Sequence, residues 1–415
     1  MRIWLLQTWE PNPAEPGPYR PWRTGMLARA LHARGHEVHW FASRFRHIRK
    51  TFEQGDPSGV EIEPGFYVHW LTALGYRRHV SVQRLRDHAH VAREFLARAE
   101  ELNRPDAVVA SYPTVEMSAA AARLCGSHKI PLLVDVRDRY PDLYWQSLPG
   151  FLQGAGKLAA TPMVAQARQV FQTAAGITAN GPDVLAWALG YAGRAQSPLD
   201  ASLPMSYEPP VISDADRKDR IQQWAGFGVN PDDWVVAFGG TMAASFDLEP
   251  VLEAARLLQT EPRIKFVLCG DGPERTRLML ESSDLKNVLW PGRVDAAMLS
   301  VLYEHARIGL MPYRPLENFV GSITNKPVEY LACGMELASS LGRGTLFDLM
   351  TQRQVGFAYA NGDDLAAKIR ARFEGGDTGM RERCQAVFER EFDSARVMNQ
   401  WVELIERAAI PAATS

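Results

Sequence analysis

Short apolar runs alternate along the chain with longer segments in which apolar positions recur every three or four residues. RIWLLQTW, EVHWFAS, FYVHWLTAL, DAVVASYP, PLLVDVRD and GITAN have the length and β-branched or aromatic content of buried strands. TGMLARALHARG, a basic segment from about Val82, VEMSAAAARLC and Met163 to Thr173 carry the helical period, and LAWALGY continues the rhythm to about residue 192. Such alternation predicts a parallel sheet with helices on both faces. From 193 to 215 the periodicity fades into Pro, Ser and Ala, which reads as a linker.

The same rhythm then restarts with WVVAFGGT, LEPVLEAARLL, IKFVLCGDG, ERTRLML, NVLWPG, AAMLSVLYEHA, IGLMPY and ELASS, and runs to DDLAAKIRARFEG. The predicted fold class is therefore α/β, with two doubly wound, Rossmann-like domains at 1–192 and 216–390 facing each other across a cleft. The amphipathic helices between Met380 and Glu406 lack a partner of their own, and the segment 391–415 is expected to pack back on the first domain.

Composition narrows the function without naming it. The 415 residues are 46% hydrophobic and 23% charged, ordinary for a soluble globular protein. The formal net charge of −2 divides into +4 over residues 1–210 and −6 over the rest, too small and scattered an imbalance for nucleic acid. Cys125, Cys269, Cys333 and Cys384 lie far apart in apolar segments, which suits buried thiols in a reducing compartment and no zinc site. The opening MRIWLLQTWEPNP reads as a first core strand and not a signal peptide, and no apolar run reaches the roughly 18 residues of a membrane span. A cytosolic or peripheral protein is expected.

The stretch ITNKPVEYLACGMEL carries a helix start and stop in one window: a Thr or Asn cap, Pro in the first turn, and a terminating Gly334. At 3.6 residues per turn Ser322, Lys326 and Glu329 share one face, while Val328, Leu331 and Ala332 turn inward. FGGT at Phe238 to Thr241, GDG at Gly270 to Gly272 and GSITNK at Gly321 to Lys326 each end a strand or open a helix. Bare amides at such places bind phosphate, and Lys326 adds a full charge. Glu329, one turn on, can accept hydrogen bonds from both hydroxyls of a ribose. A pairing of Glu329 with Lys326 is the structural alternative, worth about 0.3–0.5 kcal/mol if exposed. Together these loops predict a nucleotide diphosphate along the second domain.

GDGPE, NVLWPGRV, GLMPY and above all SITNKPVEYLACG resemble the C-terminal domain of family-4 retaining glycosyltransferases with the GT-B fold. YRPWRTGMLARALHARGHEV, PDAVVASYP and VDVRDRYPD look like the bacterial members that build O-antigen, capsule or exopolysaccharide repeat units. The resemblance implies a nucleotide-sugar donor, with UDP ahead of GDP, in the C-terminal domain. It implies a glycan or polyprenyl-diphosphate-linked acceptor in the N-terminal one. The donor is a co-substrate, so no separate cofactor and no metal are implied.

By position, Glu329 would hold the ribose, Lys326 with Gly321 and Ser322 the diphosphate, and Pro291 to Val294, including Arg293, the base. Gly240, Thr241, Gly270, Asp271, Gly272, Ile323 and Asn325 would complete the donor site. Lys326, Glu329 and Asp138 are the catalytic candidates. In the family, the departing β-phosphate oxygen is thought to take the acceptor proton, which leaves electrostatic stabilisation as the enzyme's task. A sugar-nucleotide epimerase and a non-catalytic subunit that binds nucleotide sugar are the other readings.

Several positions depart from the family pattern. Gly321 stands where the first glutamate of the Glu-x7-Glu motif belongs, GGTMAASFDLE has no basic residue, and Glu336 replaces a usual Pro. The N-terminal glycine loop is reduced to Gly17 and Gly25, near Arg20 and Arg23. In DVRDRYPD, Asp138 or Arg137 either orients a sugar or forms an internal Asp–Arg pair. Asp214-Ala-Asp216 matches a metal-binding Asp-x-Asp but sits where Asp caps a helix. His47, His88 and His90 are read as part of an amphipathic surface pattern and not as ligands. RFRHIRK (Arg44–Lys50) and YRRHVSVQRLRDH (Tyr76–His88) are either solvated faces or a docking surface for anionic lipid.

Overall fold

The computed structural model describes residues 1–15, 19–47, 50–53, 59–78, 81–146, 148–376 and 379–410. Gly17, and Ile48, Arg49, His79 and Val80 of the basic segments, lie outside these. The chain forms two compact units, one of Met1–Pro204 with Ser394 onward, the other of Met205–Asp393.

The first unit is built on an eight-stranded sheet in the order Ala201–Ser202, Gly176–Ala179, Leu132–Val136, Ala107–Tyr112, Arg2–Leu6, Glu37–Ser43, Phe66–Leu71, Val60–Glu63. All pairs are parallel except the last. Period-2 alternation sends Trp4 and Leu6 into one core, with Phe41 and Phe95, and Ile3 and Leu5 into another, with Trp40 and Leu27. Both faces are therefore dry, which is why these strands read as nearly unbroken apolar runs.

Residues 193–204 are not a free linker. Asp200 accepts from the amides of Ile177 (2.8 Å) and Ser197 (2.6 Å) and from Arg194, and Ala201 and Ser202 then pair with Thr178 and Ala179. The helix Ser394–Ala409 buries Val397, Trp401 and Ile405 in the second of these cores, and the Arg23 guanidinium lies 4.4 Å over the Trp401 ring.

The second unit has a six-stranded, all-parallel sheet in the order Val288–Gly292, Ile264–Cys269, Trp234–Gly239, Ile308–Met311, Glu336–Ser339, Gly356–Ala358. Val235 and Ala237 face one core and Val236 and Phe238 the other. Asp214 and Asp216 open the helix Asp214–Gly226, but Ser213, one residue earlier, is its cap, accepting from the Asp216 amide at 3.1 Å.

Several short elements lie outside the sequence expectations, among them the strand Val60–Glu63 and the helices Gly150–Ala159 and Glu317–Val320. The strand Val60–Glu63 alternates weakly and is mostly exposed. The ten-residue helix Gly150–Ala159 buries none of its side chains; its apolar stripe, Phe151, Leu152, Ala155 and Leu158, is exposed, and three glycines dilute its helical signal.

Candidate active site

In an open parallel sheet, ligands bind beyond the carboxyl ends of the strands, at the point where strand order reverses. In the second unit that point lies between Trp234–Gly239 and Ile308–Met311. The loops leaving these strand ends are stitched together by backbone bonds: Gly240 N–H to the Cys269 carbonyl (3.0 Å), Met242 to Asp271 (2.9 Å), Gly270 to Gly292 (2.7 Å) and Glu274 to Met242 (3.0 Å). Only glycine tolerates this approach. A β-carbon on Gly270 would lie 1.8 Å from the Gly240 carbonyl oxygen, and one on Gly272 2.4 Å from that of Met242, each at strongly positive φ.

The eight-residue helix Asn325–Ala332 begins at the same edge. Thr324 does not cap it; its hydroxyl bonds instead to the Tyr313 hydroxyl at 2.6 Å. No hydrogen bond among the described residues engages the amides of Ser322 and Ile323. Val328 and Leu331 are fully buried, and Pro327 and Tyr330 are buried as well. The Tyr330 hydroxyl accepts from the Gly239 amide (3.2 Å), which fixes the helix to the strand end that opens the glycine loop.

Lys326 and Glu329 are half-buried on the opposite face. The Lys326 ammonium lies 4.5 Å from the Phe246 ring centre and 5.6 Å from that of Phe238. A β-carbon on Gly240 would stand 2.5 Å from Lys326 Cε. Burial holds the Lys326 pKa below that of an ordinary lysine, opposed by the Glu329 carboxylate.

The predicted donor-site residues thus fall at one sheet edge. Gly240, Thr241, Gly270, Asp271 and Gly272 occupy the interlaced loops, Arg293 and Val294 follow the edge strand, and Ser322 to Glu329 form the uncapped helix start. One assignment is corrected. The Gly321 amide closes the short helix Glu317–Val320 by donating to the Glu317 carbonyl at 3.0 Å, so it is not free for phosphate. Sequence reasoning missed the aromatic wall of Phe238, Phe246, Tyr313 and Phe319, in which Tyr313 and Phe319 stack at 4.4 Å. It also missed two cations in loops of this edge, Arg314 and Arg343, which follow the strands ending at Met311 and Ser339.

In the first unit the strand order reverses between Arg2–Leu6 and Ala107–Tyr112. Beyond it a small pocket is lined by Thr8, Trp9, Ser43, Tyr76, His88 and Thr114. His47 stacks on Trp9 at 5.0 Å, and the Arg84 guanidinium lies 5.1 Å over the same ring. His88 is buried and bonds to Glu116 at 3.3 Å, so the expectation that it lies on a surface face is corrected. The basic segments are corrected in part as well. Arg46 pairs with Glu15 and Glu53 and Arg84 is buried, whereas Arg77 and Arg78 stay exposed.

Arg137 takes the structural alternative. Asp135 is fully buried between Arg23 (2.9 Å) and Arg137 (3.0 Å), and Arg137 also binds Glu10, Thr24 and Ser111. Burial alone would raise the Asp135 pKa, but the two guanidinium groups overcome it and hold the carboxyl below its usual range. Asp138 is different. Among the described residues no hydrogen bond or ion pair engages its carboxylate, and burial raises its pKa against the opposing pull of Arg137.

Two Rossmann-like units in one chain are the architecture of the GT-B fold. The chain belongs to the group 1 and 4-like glycosyltransferases: a family described as "Glycosyl transferase 4-like domain" matches residues 21–198, and one described as "Glycosyl transferases group 1" matches residues 233–374.

Solved structures show the same fold. Sucrose-phosphate synthase from Thermosynechococcus elongatus is 15% identical with a TM-score of 0.69, covering 98% of each chain. Anabaena HepE in complex with UDP is 16% identical with a TM-score of 0.64, covering 98% of this chain and 100% of its own. WaaG, a glycosyltransferase involved in lipopolysaccharide biosynthesis, is 13% identical with a TM-score of 0.64, covering 97% of this chain and 99% of its own. Among curated proteins none matches the chain significantly.

Proposed function

We propose that the protein moves a sugar from a nucleotide-diphosphate sugar, with UDP as the nucleotide, to a glycan or polyprenyl-diphosphate-linked glycan in cell-surface polysaccharide assembly. The observation that carries this reading is the uncapped start of the Asn325–Ala332 helix, with Lys326 half-buried beside Gly240 and Glu329 one turn further on. HepE has been solved with UDP and with UDP-glucose, which supports a uridine donor here by analogy of fold.

In this reading the diphosphate lies on the amides of Ser322 and Ile323 and on Lys326, and Glu329 holds the ribose hydroxyls. Transfer retains the donor's stereochemistry without a metal. The departing phosphate oxygen takes the acceptor proton on the face it leaves, while Lys326 and the helix start stabilise its charge. Asp138 is the acceptor-side candidate: an unengaged carboxylate with a raised pKa is suited to hydrogen-bond a sugar hydroxyl.

The protein further docks peripherally on the inner face of the cytoplasmic membrane. Supporting this, Phe151 and Leu158 are 85% and 76% exposed on a helix that buries nothing, and residues 143–182 contain Lys157 and Arg168 but no Asp or Glu. No helix among the described residues is long and apolar enough to cross a membrane.

Incubation with UDP-sugars and a lipid-linked glycan fraction, followed by NMR of the product's anomeric centre, tests the reading. An α-linked product from an α-configured donor is expected. An inverted product would overturn retention, and conversion of the donor alone to its epimer would replace transfer by epimerisation.

A further inference from the structure

The opposite edge of the second sheet, where its strands begin, holds an open cavity of about 510 Å³. Four arginines line it. Arg263 and Arg307 immediately precede the strands Ile264–Cys269 and Ile308–Met311, Arg372 comes from the end of the helix Gly362–Gly375, and Arg381 from the start of the helix Met380–Glu391. Among the described residues the single carboxylate in the lining is Glu336, and Trp234 and Phe373 supply an aromatic corner with ring centres 6.0 Å apart.

The charges in this cavity do not balance. Glu336 accepts from Arg372 Nε at 2.6 Å, and that guanidinium also lies 3.8 Å over the Phe357 ring. Among the described residues Arg381 donates only to neutral carbonyls, of Cys333 (2.6 Å) and Ala306 (3.1 Å). Arg263 likewise donates to the Asp232 carbonyl at 3.2 Å. No hydrogen bond or ion pair among the described residues engages the Arg307 side chain. Burial holds the Arg381 pKa below the usual arginine range, and the Arg307 charge pushes it the same way. Arg263, Arg307 and Arg381 thus line one cavity with no hydrogen-bonded carboxylate among the described residues; Arg307 and Arg381 repel each other, only partly offset at Arg381 by Glu382, an arrangement that costs free energy unless an anion enters.

We propose that this cavity binds a phosphorylated small molecule, its phosphate groups held by Arg263, Arg307 and Arg381 and its ring or apolar portion packed on Trp234 and Phe373. The site lies at the strand starts, whereas the donor site lies beyond the strand ends, so it is a second anion site within one unit. Glu336, which departs from the family pattern, has a role here: it neutralises Arg372 and so leaves three cations for the ligand instead of four. A phosphate carried by a lipid headgroup has the same chemistry, and a concave site with an aromatic corner favours the soluble molecule.

The test is calorimetric titration of inorganic tripolyphosphate into the full chain, repeated with Arg307→Gln, Glu336→Gln and Lys326→Ala, with sedimentation of phosphatidylglycerol vesicles as a parallel arm. Lys326→Ala, altered only at the donor edge, should keep one saturable site. Arg307→Gln, an exposed position whose loss leaves the fold intact, should weaken that site by about tenfold. Glu336→Gln should tighten it, because Arg372 is then released to the anion. Vesicle binding that Arg307→Gln abolishes would assign the phosphate to a lipid headgroup and keep the site. Loss of all tripolyphosphate binding in Lys326→Ala, or identical binding in the wild type and both cavity variants, would overturn the proposal.

Discussion

A β-carbon placed on Gly240 would stand 2.5 Å from Cε of Lys326 and 2.7 Å from its Nζ. The lysine therefore lies flat against bare backbone, and its position depends on a residue without a side chain. Gly240→Ala should push the ammonium away and strain a backbone at φ +155. We expect a loss of about 1–3 kcal/mol in stability from the strain. UDP affinity should fall further than this loss explains. Urea unfolding beside nucleotide titration separates the two, and unchanged UDP affinity would show that Lys326 does not contact the ligand.

The activity should depend on the protonation of Lys326. Its pKa is lowered by burial, so the charged form that the diphosphate needs is lost, as pH rises, earlier than for a free lysine. The Glu329 carboxylate opposes that shift. Glu329→Gln should therefore move the alkaline limb of the kcat/KM profile to lower pH in addition to weakening ribose binding. Profiles that overlay would remove the link between the two side chains.

Asp135 holds Arg23 and Arg137 in the dry interior of the first unit. Asp135→Asn leaves both guanidinium groups without their shared charge and should cost about 3–5 kcal/mol. The folded-state pKa of Asp135 is depressed, so its contribution is fully present above the unfolded value of about 3.9 and is lost as pH falls through the folded one. Acid unfolding followed by circular dichroism should thus show a midpoint at higher pH in the variant.

Phe151 and Leu158 contribute nothing to the core, so Phe151→Ser with Leu158→Ser should change stability by no more than about 0.5 kcal/mol. Flotation with phosphatidylglycerol vesicles should nevertheless be lost. Retention of flotation by the double variant would move the membrane contact elsewhere, for example to Arg77 and Arg78.

Much of the fold was legible because its strands are buried on both faces and announce themselves as apolar runs. The helix Gly150–Ala159 was not, since Gly150, Gly154 and Gly156 dilute its helical signal and its apolar stripe meets no core. The donor edge was legible because its chemistry is local: three glycine turns and one helix start, each within a few residues. What sequence could not supply is what long-range pairing creates. Arg23 meets Asp135 across 112 positions, and His88 meets Glu116 across 28. The cavity arginines come from four separate segments, so Glu336 looked unexplained until Arg372 was seen beside it. Gly321 was misassigned for a smaller reason, since its amide is consumed by a one-turn helix that no periodicity reveals.

The central claim is that the helix opening at Asn325 is the donor site. Its most direct test is calorimetric titration of UDP, with GDP as comparison, into the protein in EDTA, beside Glu329→Ala. Saturable binding of UDP that the variant weakens by about tenfold or more, with both proteins equally folded, is the predicted result. Equal binding of UDP by the wild type and Glu329→Ala, or none by either, would contradict it.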